Sequence, residues 1–419
     1  MSDLWIVSLF AVTALFVLLP VYWAWRLAAL YWFNKPAPCR DDELPKVAVI
    51  LSLRGADPSL VNCVGGLLRQ DYPRYALRIV IDNRQDPAWD MVHGILAQGV
   101  PPHVDVQVSV LEQRRDTCSL KVSAQLQAIA QLHADCEAVV LIDADSIPAP
   151  DWLRSMVAPF RDPMVGATTG IRWFAPRDTQ WGTIVRHLYN SASFTQMYYF
   201  RMPWGGSLGI RTHVLRQSDI LDLWSQSFCE DIGTYGVVRD LGLRLAFVPE
   251  ATQVNPEAID LKSCYNFILR QLLCVRLHHV SWPALFLTNI ANLLALFGAG
   301  AFLAWGVASE SWGWVAASAG LFVAYLGGLL SALNVGEVLI RRIVSKRGET
   351  VPPVLVSWKI IPAALLTQGL SLYCLVKTLF LRRIDWRGIT YAIHGPENIR
   401  LLEYRPFQTQ PADPTHSVI

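Results

Sequence analysis

Four stretches of the chain are apolar almost without a break. Residues 4–25, "LWIVSLFAVTALFVLLPVYWAW", carry no charge, and neither do residues 280–309 or 311–336. A fourth run, "IIPAALLTQGLSLYCLV", lies between Lys359 and Lys377. A bilayer core takes about 20 apolar helical residues. The first three stretches therefore predict membrane helices, and the fourth sits at the limit. No basic n-region precedes the first stretch and Arg26 follows it, so it predicts an anchor rather than a cleaved leader.

Between the first and second stretches the pattern changes. "KVAVILSL", "LRIVIDN", "VDVQVSVLE" and "AVVLIDAD" are short apolar runs rich in β-branched residues. They alternate with the helical patterns "PSLVNCVGGLLRQ", "DPAWDMVHGILAQ", "LKVSAQLQAIAQLHA" and "PDWLRSMVAPF". Strands apolar on both faces that alternate with helices predict a Rossmann-like, mostly parallel α/β sheet covered on both sides. Ligands of such sheets bind beyond the carboxyl ends of the strands. Asp82 and the pair Asp143 and Asp145 stand at such ends. The tail "FQTQPADPTHSVI" is polar enough to predict disorder.

Charge sets the orientation. No Lys or Arg precedes the first stretch, whereas Arg26, Lys35 and Arg40 follow it. The excess of basic residues marks the cytoplasmic side, which places the middle region in the cytoplasm. The loop "RRIVSKRGE" after the third stretch fits the same side. A full fourth crossing would carry "LRRIDWRG" outside, against the rule, so a crossing and a re-entrant segment both stay open. The net charge of +2 gives no argument for nucleic acid. The 8 cysteines show no metal-ligand spacing and read as reduced. Long spans almost free of ionisable residues speak against a transporter.

There is no G-x-x-x-x-G-K and no G-x-G-x-x-G, so a nucleotide would need another phosphate cradle. Asp143-Ala-Asp145 offers one. Mg²⁺ or Mn²⁺ prefers carboxylate oxygens together with substrate phosphates. The plainer alternative is a solvated strand exit. Glu230 and Asp231 precede a helical pattern, where acids also serve as caps; the functional alternative is a general base facing an acceptor. Trp204 beside Gly205 and Gly206 predicts either a flat apolar wall with close backbone approach, suited to a sugar ring, or a plain turn.

The stretch "VAVILSLRGADPSLVNCVGGLLRQDYPRYALRIVIDNRQDPAWD" resembles the opening of family 2 glycosyltransferases of the ceramide glucosyltransferase type. An aspartate after the second strand, a D-x-D after the fourth and a later E-D pair recur in that order, as Asp82 or Asp86, Asp143 with Asp145, and Glu230 with Asp231. "SLKVSAQLQAI" resembles the family's lysine-bearing helix, and "IDWRGITY", residues 384–391, its short tail motif. The likeness covers roughly residues 1–405. It implies an inverting GT-A enzyme that moves a hexose from a UDP-sugar to a lipid acceptor such as ceramide, at the surface of the lipid bilayer. In that resemblance Asp82 or Asp86 meets the nucleoside, Lys121 and Asp143 the diphosphate, Asp145 with Asp143 the metal, and Asp231 the acceptor proton. Trp204, Gly205, Glu230, Arg270, Gln271 and Arg276 fall to the acceptor side. The family's [QR]-x-x-R-W reads "ILRQLLCVRLHH" here, without the Arg-Trp pair. The resulting division is an anchor at 1–33, a GT-A domain at 46–278, C-terminal transmembrane helices at 280–381 and a tail at 382–419. A processive polysaccharide synthase and a non-catalytic nucleotide-sugar-binding scaffold are the alternatives.

Overall fold

The structure, a computed structural model, describes residues 2–33 and 39–407. Lys35 and all of the expected disordered tail but Phe407 fall outside that range. The chain opens with helix α1 (Ser2–Phe33) and then enters a Rossmann-like unit. Its strands β1 (Val47–Leu53), β2 (Tyr75–Ile81), β3 (Val104–Val110) and β4 (Ala138–Ile142) coincide with the four apolar runs. Helices α2 (Leu60–Leu68), α3 (Pro87–Leu96), α4 (Leu120–Ala130) and α5 (Trp152–Val157) lie between or after them. Every residue of β4, and all but one of β1, is buried, because helices cover both faces.

The second half of the sheet has a less regular pattern. It adds β5 (Val165–Thr169), β6 (Arg172–Phe174), β7 (Ser207–Arg211), β8 (Arg244–Phe247) and β9 (Gln253–Asn255). Helices α6 (Trp181–Phe200), α7 (Thr212–Gln217), α8 (Ile220–Trp224), α9 (Asp231–Asp240) and α10 (Leu261–His278) complete the unit. The seven-stranded sheet runs β3-β2-β1-β4-β7-β5-β8. Only β7 is antiparallel to its neighbours. The chain steps outward from β1 through β2 to β3, then returns to β4 on the other side of β1. That reversal opens a crevice at the carboxyl ends of β1 and β4. β6 and β9 form a separate parallel pair.

The long apolar helices follow as α11 (Trp282–Ala308), α12 (Trp312–Ser345) and α13 (Ile360–Phe380). Each is long and apolar enough to cross a membrane. α11 and α12 form a hairpin around Glu310, which takes a left-handed φ of 53°. α1 packs along both. α13 behaves differently. Before it, Lys359 Nζ donates to Thr179 O, just ahead of α6, at 2.9 Å. Near its end, Arg276 of α10 donates to Thr378 O. The helix thus has both ends on the Rossmann-like unit, packed against α6 and α10.

After α13 the chain does not trail away. β10 (Arg383–Trp386), β11 (Ile389–Gly395) and β12 (Asn398–Tyr404) form an antiparallel sheet. Ile389, Tyr391, Ile393 and Ile399 are buried in the same cluster as residues of α4, β4 and β7. This small sheet closes over the carboxyl edge of the large one.

Candidate active site

One cavity lies at the crevice, between the carboxyl ends of β1, β2 and β4, the start of α9, the middle of α10 and the small C-terminal sheet. Five carboxylates line it, Asp82, Asp143, Asp145, Glu230 and Asp231, together with five cations, Arg54, Lys121, Arg172, Arg270 and Arg387. The lining is therefore electrically balanced.

The topology explains why distant acids meet. β4 ends at Ile142 and releases Asp143 and Asp145. β7 runs antiparallel to β4 with Ser207 opposite Ile142. The preceding Trp204-Gly205-Gly206 turn must then lie beside the aspartates. A Cβ on Gly206 would stand 2.1 Å from the Trp204 ring and 2.8 Å from Asp143 Oδ2. A Cβ on Gly205 would stand 2.2 Å from Glu230 Oε1. The close backbone approach suggested by the Gly pair is present at both positions. Gly205 N–H donates to Asp231 Oδ2 at 2.8 Å, and Ile232 N–H donates to Asp231 Oδ1 at 2.7 Å. The turn bridges the two acidic motifs.

Lys121, in the first turn of α4, holds Asp143 Oδ1 and Glu230 Oε1, each at 2.7 Å. Arg172, from β6, reaches Asp145 Oδ1 at 2.6 Å and Asp143 Oδ2 at 3.3 Å. Burial would raise the Asp143 carboxyl, but Lys121 and Arg172 outweigh it and hold the group below its usual range. Asp231 goes the other way. Burial and the neighbouring Glu230 push it up to about 6, against the pull of Lys121. Environment thus divides the acids: one is held ionised, and the other is basic enough to take a proton near neutral pH. Glu230 makes no side-chain cap bond to α9; its carboxylate serves Lys121 instead.

Asp82 lies at the end of the cavity beneath the small C-terminal sheet. Its Oδ2 accepts from Arg54 and, at 2.9 Å, from Tyr404 Oη of β12. Arg54 and Arg387 exchange bonds to each other's carbonyls at 2.9 and 2.8 Å, tying β1 to the small sheet. Asp86 does not line the cavity. Its carboxylate caps α3 through Ala88 N–H at 2.9 Å and accepts Gly55 N–H at 2.9–3.0 Å, which leaves it a structural part.

On α10, Arg270 and Gln271 face the cavity with Cys274. Arg276 does not; it turns to α13. One helical turn explains the split, since residues 270, 271 and 274 share a face that 276 leaves. Arg270 sits 5.0 Å from the Trp386 ring and has no carboxylate within ion-pair distance among the described residues. Burial draws its guanidinium down to about 10, so it remains charged.

Reasoning from sequence missed Arg172, Arg54 and Tyr404. No spacing marks a lone arginine in "GIRWF" or a tyrosine near the C-terminus. Trp386 and Arg387 belonged to the tail motif already noted, but only the fold carries them to the cavity.

The profile of glycosyl transferase family 21 matches residues 4–399, nearly the whole chain. The chain belongs to glycosyl transferase family 21. Sugar transfer, the reaction class expected from the motifs, is the class that gives this family its name. A ceramide glucosyltransferase of Gibberella zeae is 25% identical over 155 residues, a segment of 34% of this chain and 28% of that protein's length. Among solved structures, the mannosyltransferase PcManGT of Pyrobaculum calidifontis, in complex with GDP-Man and Mn²⁺, aligns over 81% of this chain and 99% of its own, with a TM-score of 0.51 and 20% identity. That likeness concerns the fold, and it supports the GT-A type of the family 21 catalytic unit. S. aureus TarS, residues 1–349, aligns over 86% of this chain and 99% of its own at a TM-score of 0.34 and 14% identity.

Proposed function

We propose that the protein is an inverting, membrane-bound hexosyltransferase that moves one sugar, glucose in the first instance, from a UDP-sugar to a hydroxylated lipid such as ceramide. The convergence of Lys121, Asp143, Asp145 and Asp231 on one cavity carries this reading. Family membership and the partial match to a ceramide glucosyltransferase support the substrate classes.

The donor set fits a divalent ion. Asp143 Oδ2 and Asp145 Oδ1 flank a single point, the one that Arg172 Nη2 contacts. No third His, Cys, Asp or Glu completes a metal cluster there among the described residues. Mg²⁺ or Mn²⁺ would take the rest of its shell from donor phosphates and water, which is Mg²⁺'s usual habit. When bound, the ion neutralises charge that builds on the departing diphosphate. A UDP-sugar carries two negative charges, so donor and ion together enter this balanced lining as a neutral pair. Asp82, fixed by Arg54 and Tyr404, would meet the nucleoside. Lys121 and the unpaired Arg270 would face the diphosphate.

Transfer is a single displacement. The acceptor oxygen bonds to the anomeric carbon, and the bond from that carbon to the phosphate oxygen breaks. The electron pair leaves with UDP, and the acceptor proton passes to Asp231. The two backbone donors from Gly205 and Ile232 fix the Asp231 carboxylate for this.

The membrane arrangement supports the acceptor. α1, α11 and α12 read as three crossings with the amino terminus outside. α13, with both ends on the catalytic unit, lies along the membrane surface beside α6 and α10. The catalytic unit then faces the cytoplasm, in accord with the basic residues that follow α1 and end α12.

The test is lipid mass spectrometry of cells with and without the protein, with purified enzyme assayed on UDP-glucose. One hexose on a hydrophobic aglycone is expected. Asp145→Ala should abolish transfer, with excess Mn²⁺ restoring little. A ladder of products would favour a polysaccharide synthase. Full activity of Asp145→Ala in EDTA would remove the metal from the mechanism.

A further inference from the structure

Two cations enter the acidic centre, and they are held differently. Lys121 projects from a helix and links two separate motifs. Arg172 uses one nitrogen, Nη2, to reach both aspartates of the D-x-D pair. It occupies a point from which a single cation contacts Asp143 Oδ2 and Asp145 Oδ1 together.

The base of Arg172 is fixed. β6 is three residues long, and α6 pins it. Asn190 Oδ1 accepts from Phe174 N–H at 3.0 Å, while Asn190 Nδ2 donates to Arg172 O at 3.0 Å. His187 Nδ1 meets Phe174 O at 2.7 Å. Trp173, fully buried, packs where Gly336 of α12 leaves room for its ring. Among the described residues, the head of Arg172 makes ion pairs with Asp143 and Asp145 and lies against two ring faces. Its Cζ lies 4.7 Å from the Trp204 ring and 5.7 Å from the Phe174 ring. A fixed strand therefore carries a side chain whose guanidinium is held by ion pairs and ring faces, with no hydrogen bond to backbone among the described residues.

We propose that Arg172 is the resident counter-cation of Asp143 and Asp145, and that it yields that seat to a divalent ion when the donor diphosphate arrives. Its planar fork then moves onto the phosphate oxygens. The proposal rests on the reading of the D-x-D pair as a metal site. Without Arg172 or a metal, two half-buried carboxylates one residue apart would repel each other. With both, a guanidinium and a divalent ion would compete for one point. A diphosphate removes the competition, because it supplies anionic oxygens that a guanidinium binds in bidentate fashion. Metal and nucleotide consequently bind with positive coupling, and each raises the other's affinity by the same factor. The arrangement makes the site selective for the metal–nucleotide pair over either alone.

The full-length protein in detergent micelles can be titrated with Mn²⁺, reading free ion by electron paramagnetic resonance, with and without UDP. Wild type should bind Mn²⁺ weakly alone and more tightly with UDP, by a factor in the range of roughly 5–150 found for coupled sites. In Arg172→Met, Mn²⁺ without UDP should bind on the order of tenfold more tightly, UDP should add clearly less than it does in the wild type, keeping only the part that comes from phosphate oxygens on the ion, and UDP alone should bind more weakly. Arg172→Lys keeps the charge but loses the fork, so its coupling should fall between the two; it also serves if the Met variant does not fold. Equal Mn²⁺ affinity of wild type and Arg172→Met without UDP would overturn this proposal and leave the metal reading standing. Wild-type coupling in Arg172→Lys would overturn it as well. Failure of the wild type to bind Mn²⁺ even with UDP would overturn both readings together.

Discussion

At the residue scale, Asp231 is where burial becomes chemistry. Its carboxyl is raised to about 6, first by burial and then by Glu230. A base must be ionised to act, so transfer should rise from pH 5 to 7 with a midpoint near 6. Stability moves oppositely. A carboxyl whose folded value lies above its unfolded value adds stability at low pH and loses it as pH rises through about 4 to 6. Asp231→Asn keeps the shape and one acceptor oxygen, enough for one of the two donors Gly205 and Ile232, but takes no proton. Transfer should fall by about 10²–10⁴-fold, UDP affinity should hold, and the melting temperature at pH 7.5 should change little, because removing a charge beside Glu230 offsets the loss of one backbone hydrogen bond. Near-normal transfer would reduce Asp231 to a turn-holding residue. Both motifs were visible in the sequence, because acids in pairs are conspicuous. Their opposite titration was not, since it depends on Lys121 and Arg172 arriving from elsewhere. Asp86 and Arg276 show the limit from the other side: each has the right type at the right spacing, but one caps a helix and the other sits off the cavity face.

At the element scale, the small C-terminal sheet is the part whose role the sequence concealed. Residues 383–404 form strands, bury four large side chains and deliver Trp386, Arg387, Tyr391 and, through Asp82, Tyr404 to the site. Tyr404 Oη donates to Asp82 and accepts from Asn83 Nδ2 at 3.0 Å. Tyr404→Phe removes both bonds with little change of shape. A typical hydrogen bond contributes about 0.5–1.5 kcal/mol, which corresponds to a roughly 2- to 10-fold loss of UDP affinity measured by calorimetry. Acceptor KM should not move. Unchanged UDP affinity would mean that the sheet covers the crevice without shaping it. The four leading strands, by contrast, were legible because β1 and β4 are apolar on both faces and β3 alternates valine with polar residues at a period of two. β5 to β9 were not, because short runs such as "VGATT" and "RWF" carry no period that separates strand from loop.

At the scale of the whole molecule, the proposed topology rests on the two ends of α13. Composition left that segment between a crossing and a re-entrant path. Lys359 on Thr179 and Thr378 on Arg276 tie both ends to the catalytic unit, and the small sheet continues from there. Arg115 and Arg400 should therefore share one side and Glu310 the other. Cysteine labelling of intact cells with an impermeant reagent tests this. Glu310→Cys should react, while Arg115→Cys and Arg400→Cys should require permeabilisation. The native cysteines give little background, since seven are buried and Cys229 is partly so. Reaction at Arg400→Cys alone would restore α13 as a full crossing.

The sequence by itself determined what is local and repetitive: the apolar lengths that suit a bilayer, the alternation that builds a parallel sheet, and the acids released at strand ends. These follow from helix rise, side-chain period and burial, each written in neighbouring residues. Tertiary structure decided which charges pair. Lys121 and Glu230, 109 positions apart, form an ion pair at 2.7 Å. Arg54 and Arg387 interlock across 333 positions. Such contacts are set by sheet order and by where a returning segment docks, and pairing across those distances leaves no period for a sequence to show.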